Sequence, residues 1–167
     1  MQQKFSGNKQ PQKSKGFSII EVLIVSFIIV FVLTAILTLA VLSLRISILV
    51  KETNQANFLA QEAIEITRNF RDGTKWNEDG LNTLTLGISH YPIKDNSTIP
   101  PNWTLVEGEE IIGQFNRQII FEEVLRDNNH NIVEEGGSID SDVKKLRIIV
   151  SWKQREITVS TYLTNWQ

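Results

Sequence analysis

The sequence predicts an α+β protein in which a long N-terminal helix, membrane-spanning in its first half, packs through its C-terminal half on an antiparallel β-sheet. Three observations predict it. From Phe17 to Leu44 the only ionisable side chain is Glu21, and there is no Pro or Gly. From Arg45 to Asp72 apolar residues recur at helical spacing, again without Pro or Gly. From Trp103 onward the apolar period changes to two.

Residues 1–16 carry Lys4, Lys9, Lys13 and Lys15, no acid and many polar side chains, a composition that cannot bury a core and predicts disorder. By the positive-inside rule these lysines hold the N-terminus in the cytoplasm and send the chain after Leu44 across the membrane. Residues 17–44 form the spanning segment, since about 20 apolar residues suffice to cross a bilayer. Its polar residues, Ser18, Ser26, Thr34, Thr38 and Ser43, are small hydroxyls that can bond a carbonyl one turn back, so the whole circumference tolerates lipid.

Glu21 is the exception. A carboxylate inside such a helix costs about 3 kcal/mol on insertion scales, so it demands either a partner or a position at the interface to which it can reach. The residues around it are specific. Gly16-Phe17-Ser18-Ile19-Ile20-Glu21-Val22-Leu23 resembles the signal of type IV prepilins and pseudopilins: a basic leader ending in Gly, then Phe, with Glu fifth in the mature chain. The resemblance implies cleavage between Gly16 and Phe17 by a prepilin peptidase and N-methylation of Phe17. An ordinary secretory signal is cut after its apolar region, whereas here the helix would stay with the mature protein. Methylation keeps the amine charged, so a mature subunit would carry a cation at Phe17 and an anion one turn later. In a filament core, Glu21 of one subunit could meet the Phe17 ammonium of another or of its own chain. A buried pair of that kind is better at setting register than at adding stability.

Residues 45–72 continue the helix as an amphipathic segment, with Leu49, Ala56, Leu59, Ala60, Ala63, Ile66 and Phe70 on the face that needs a partner. Gly73 is the expected terminator, in the left-handed region. The family's long helix often bends at a Pro in its membrane half; Thr38 stands there, so no Pro kink carries over. The Val22 that follows Glu21 and the run Leu59-Ala60-Gln61-Glu62-Ala63-Ile64-Glu65 resemble minor pilins and minor pseudopilins more than a major pilin.

Residues 73–102 read as a connecting loop, rich in Gly, Pro, Asn and Asp, with one short hairpin near Leu84 to Ile93. In pilins this connection is the variable, partner-facing part. Trp76 and Trp103 are packing anchors over the sheet edge or exposed binding residues. Asn96-Ser97-Thr98 and Asn102-Trp103-Thr104 match the N-glycosylation pattern, which carries little weight in a bacterial-looking chain.

Residues 103–167 form the sheet. Strands are expected at Trp103 to Glu107, at Gln114 to Arg126 with Phe115, Ile119 and Phe121 on one face, and at Val143 to Lys153 with Leu146, Ile148, Val150 and Trp152 on one side. Lys153-Gln154-Arg155 then turns tightly into Glu156 to Thr164, where Ile157, Val159, Thr161 and Leu163 share a face. Short connections favour antiparallel pairing. One face of the sheet and one stripe of the helix both need covering, and packing them together covers both. This pilin-like arrangement is also what the family resemblance implies.

At 167 residues and net charge −2 the chain suits one domain plus an anchor and shows no nucleic-acid-binding surface. It has no cysteine, which excludes disulfides, thiolate metal sites and Cys catalysis. Many members of the family carry a disulfide near the C-terminus; this fold must hold by packing alone. Asp127-Asn128-Asn129-His130-Asn131 resembles the start of an EF-hand, with Asp140 and Asp142 nearby, but Ile132 stands where Gly is required and Ser138 where Glu is. Some pseudopilins bind calcium in this region, yet the spacing favours a solvated turn. His90 and His130 sit in polar stretches with no second His or Cys to complete a metal site. No phosphate loop, nucleophile elbow or paired acid appears, so no catalytic residue, metal or cofactor is assigned and an enzyme is not expected.

The resemblance therefore implies a structural subunit, minor rather than major, of a type IV pilus or type II secretion-like filament. Its partners would be prepilin peptidase, other pilin subunits, the assembly platform with its ATPase, and membrane lipid. It would sit as a single-pass protein of the inner (cytoplasmic) membrane, N-terminus inside, before entering a periplasmic or extracellular filament. The rival expectation is a membrane-anchored β-domain that binds a ligand and never polymerises. It would keep its leader and tolerate loss of Glu21.

Overall fold

The computed structural model describes residue 16, residues 18–97 and residues 102–166. Helix α1 runs Ile19–Gly73 and is followed by a short 3-10 turn, Leu81–Thr83, and seven strands: β1 (Ser89–Asp95), β2 (Asn102–Glu107), β3 (Glu110–Ile112), β4 (Phe115–Arg126), β5 (Ile132–Val133), β6 (Ser138–Trp152) and β7 (Arg155–Thr164). The chain divides into two units, Met1–Ile48 and Leu49–Gln167.

In the first unit the described residues are helical from Ile19 onward, and none of their side chains is buried. An 18-residue window of mean hydropathy 3.1 makes this helix long and apolar enough to cross a membrane. Three of its hydroxyls bond a carbonyl of the preceding turn: Ser26 Oγ donates to the Val22 carbonyl at 2.7 Å, and Thr38 Oγ1 to that of Thr34 at 2.9 Å. Thr34 Oγ1 donates to Phe31 at 2.8 Å.

The second unit is built on one antiparallel sheet of order β2-β1-β4-β6-β7, with β3 and β5 attached to β4. The expected alternation is present in β4 and β6: Phe115, Ile119, Phe121, Leu146, Ile148, Val150 and Trp152 are all buried. The register carries the apolar face across the sheet, pairing Ile119 with Ile148, Phe121 with Leu146 and Ile148 with Val159. Ala56, Leu59, Ala60, Ala63 and Phe70 of α1 join that face in a single core. The three alanines are fully buried, and their short side chains allow the helix backbone to approach the sheet closely. Burying a side chain such as Phe70 contributes about 2 to 3 kcal/mol.

Four features differ from the sequence reading. Gly73 ends α1 without entering the left-handed region, since it is absent from the positive-φ glycines; Thr74 closes the last turn instead, its Oγ1 donating to the Phe70 carbonyl at 2.7 Å. The hairpin expected at 84–93 lies further on, as β1 paired with β2 from His90↔Glu107 to Asp95↔Asn102. Strand β6 begins at Ser138, five residues ahead of the apolar run at Val143. A register shift between Glu123 and Leu125 marks a bulge in β4, which lets both Phe121 and Val124 be buried although three residues apart.

Candidate functional site

The sequence nominates the start of α1. Ser18 occupies its N-cap position: its carbonyl accepts from the backbone N–H of Glu21 at 3.0 Å and of Val22 at 3.2 Å. Glu21 is therefore the third helical residue, exposed, in the first turn of α1. A carboxylate there faces the positive end of the helix macrodipole. Ser18-Ile19-Ile20-Glu21 also has the spacing of a capping box, a local role that the reading of Glu21 as a register residue overlooked. Gly16 is exposed and outside the helix. Phe17 lies outside the described residues, so the geometry of the Gly16-Phe17 bond and of the Phe17 amine is not part of the described structure.

Beyond Glu21 the helix presents apolar side chains on every side. Leu23, Phe27, Phe31, Leu37 and Leu44 are all more than half exposed. A surface of this extent is a lipid-facing or protein-facing one, because soluble surfaces rarely carry large contiguous apolar patches.

The other nominated clusters resolve into local structure. Asp127 Oδ1 accepts from the backbone N–H groups of Asn129 and Asn131, both at 2.8 Å. The Asn131 side chain, bonded to the same carboxylate, is the main cause that holds Asp127 below the usual carboxylate range. Asp140 is held low chiefly by its hydrogen bond from Arg126, and Asp142 accepts from Asn165. The three carboxylates of the region that resembles an EF-hand start thus have separate protein partners. Among the described residues no three His, Cys, Asp or Glu side chains converge.

His90 is not in a polar loop. It stands on β1 with 1% of its surface exposed, stacked edge-on against Phe121 with ring centroids 5.6 Å apart, and its Nδ1 has no hydrogen-bond partner. Trp76 is a packing anchor: it is buried in the core, and its Nε1 donates to the Ser141 carbonyl at 3.0 Å. Trp103 is half-buried, with Lys94 Nζ 5.8 Å from its ring centroid.

Two polar contacts fix the helix on the sheet and were not read from the sequence. Arg117, on the core face of β4, pairs with Glu62 of α1 and Glu110 of β3 and donates to the Leu59 carbonyl at 3.1 Å. Glu52 of α1 receives Lys153 Nζ from the β6–β7 turn and Trp152 Nε1 at 3.3 Å. Each involves residues more than fifty positions apart, and nothing in local pattern pairs them. Comparison with family models, with curated proteins and with solved structures finds no match for this chain.

Proposed function

We propose that this chain is a prepilin-like subunit, of the minor kind, of a type IV pilus or type II secretion-like filament. The observation that carries the reading is a lone carboxylate, Glu21, in the first turn of α1, whose residues 19–44 are otherwise uncharged and exposed and follow Gly16-Phe17-Ser18. Prepilin peptidase would cut after Gly16 and methylate Phe17. The assembly platform and its ATPase would then draw the subunit from lipid into the filament. Packing of residues 22–44 against neighbouring pilin helices would replace lipid contacts, and Glu21 would set the axial register by pairing with a Phe17 ammonium. The sheet and the segment before β2 would face outward, available for adhesion, motility, DNA uptake or export.

The capping-box spacing of Ser18 and Glu21 favours a second reading, a single-pass anchored β-domain in which Glu21 only starts the helix. Glu21→Gln separates the two, because Gln serves a capping box as Glu does but carries no charge. The filament reading expects Glu21→Gln to insert and be processed yet fail to enter filaments. Normal incorporation of that variant would favour the anchored domain.

A further inference from the structure

We propose that the cavity beside the C-terminal end of α1 binds a neutral saccharide. The cavity, of about 260 Å³, is lined by Asn69, Phe70 and Thr74 of the helix and the turn after it, by Asp79, and by Asn102 and Trp103 of β2. The start of β2 lies beside the last turn of α1. Leu105 still reaches the core, but Trp103, two residues earlier on the same face, is left half-buried as a wall of the cavity.

The chemistry of the lining selects the ligand class. Among the described residues, the Asn69 and Asn102 side-chain amides have no hydrogen-bond partner, and Asp79 uses Oδ1 to accept from the Lys75 backbone N–H at 2.7 Å. Two amides and a carboxylate thus line one concave surface beside an aromatic ring. No Lys or Arg is among the described residues that line the cavity, and the Lys94 ammonium is engaged with the Trp103 ring, so an anion is not favoured there. A single carboxylate is too few for a divalent cation, which takes six or more oxygens. A ligand that donates and accepts through neighbouring hydroxyls and presents an apolar C–H face to indole satisfies every one of these groups. A pyranose has both. Lys94, Trp103's cross-strand partner, holds its ammonium near the ring and steadies it.

The test uses the full chain, ¹⁵N-labelled, in phosphatidylcholine nanodiscs, which avoids sugar-based detergents. Maltotetraose, cellotetraose and chitotetraose are titrated while the four indole N–H resonances are followed. At least one tetraose is expected to shift the Trp103 resonance and leave that of the exposed Trp166 in place. Trp103→Ala and Asn69→Ala are each expected to weaken that binding by about tenfold or more. Asn69 is an exposed helical residue, so its substitution leaves the fold intact even if Trp103→Ala does not. Absence of a Trp103 shift with all three sugars at about 10 mM, or binding that survives Asn69→Ala unchanged, would overturn the assignment.

Discussion

Arg117 and Glu62 form an ion pair of 2.8 Å between the sheet and the helix, and the Arg117 side chain is only 3% exposed. The same guanidinium reaches Glu110 and the Leu59 carbonyl, so one β4 side chain ties α1 and the β3 hairpin to the core. A buried cation is tolerable only because two carboxylates and a carbonyl surround it. Arg117→Ala is expected to lower unfolding stability by about 3 kcal/mol, read from denaturant midpoints. Glu62→Gln should cost about 1 kcal/mol, since Glu110 still neutralises the charge and Glu62 is itself 44% exposed. Equal losses in the two variants would show that Glu62, and not the pair of acids, balances Arg117.

Glu52 makes stability depend on pH. Its carboxyl is held below the usual range first by the hydrogen bond from Lys153, with Trp152 and Gln114 adding to it. A carboxyl depressed in the folded state contributes stability that is fully present above its unfolded pKa and is lost as pH falls through its folded value. The stability difference between wild type and Glu52→Gln should therefore be constant near neutrality and shrink on acidification below the ordinary glutamate pKa of about 4.3. A difference that stays unchanged from neutral pH down to the acid range would contradict the role given to Lys153.

His90 is a core residue with an unpaired ring nitrogen, Nδ1. Leaving a buried acceptor or donor unsatisfied costs about 1 to 3 kcal/mol, a penalty that an apolar side chain of similar size avoids. His90→Phe or His90→Leu should accordingly change stability by less than about 1 kcal/mol in either direction. Thermal unfolding checks it; a loss of several kcal/mol in both variants would mean that the imidazole has a partner the geometry lacks.

The elements read correctly from sequence are the apolar run into α1, the alternating faces of β4, β6 and β7, and the short strand at Trp103 to Glu107, which is β2. Strand β1 was legible only as part of the hairpin expected at 84–93, because Pro92 read as a loop residue. The Gly108 N–H bonds the Ser89 carbonyl at 2.9 Å, which puts the hydrogen-bonded positions of this pair at Ser89, Tyr91, Ile93 and Asp95. Pro92 falls between them, with its nitrogen turned away from β2. The pairing of β1 with β4 ends at His90, so no ladder bond is lost there. A Pro inside an apolar run normally argues against a strand, and only the tertiary arrangement shows why this one is permitted. Strand β3 was missed because it is three residues long, although Gly113, at φ 62°, opens the two-residue turn that joins Ile112 to Phe115. At the candidate site, Glu21 was legible as a lone charge in an apolar helix. Its place three residues after Ser18 was visible too, but its meaning depended on where the helix starts. The Arg117 and Glu52 contacts were illegible, because exposed and buried charges look alike until the sheet is folded under the helix.

Cleavage between Gly16 and Phe17, ahead of a helix that stays with the mature subunit, is tested by intact mass. The full chain is extracted from membranes of cells with an active prepilin peptidase and of cells without one, and its intact mass is measured. Loss of residues 1–16 together with the gain of a single methyl group on Phe17 is expected only where the peptidase is present. An unchanged mass alongside an active peptidase would contradict it and leave a membrane-anchored β-domain.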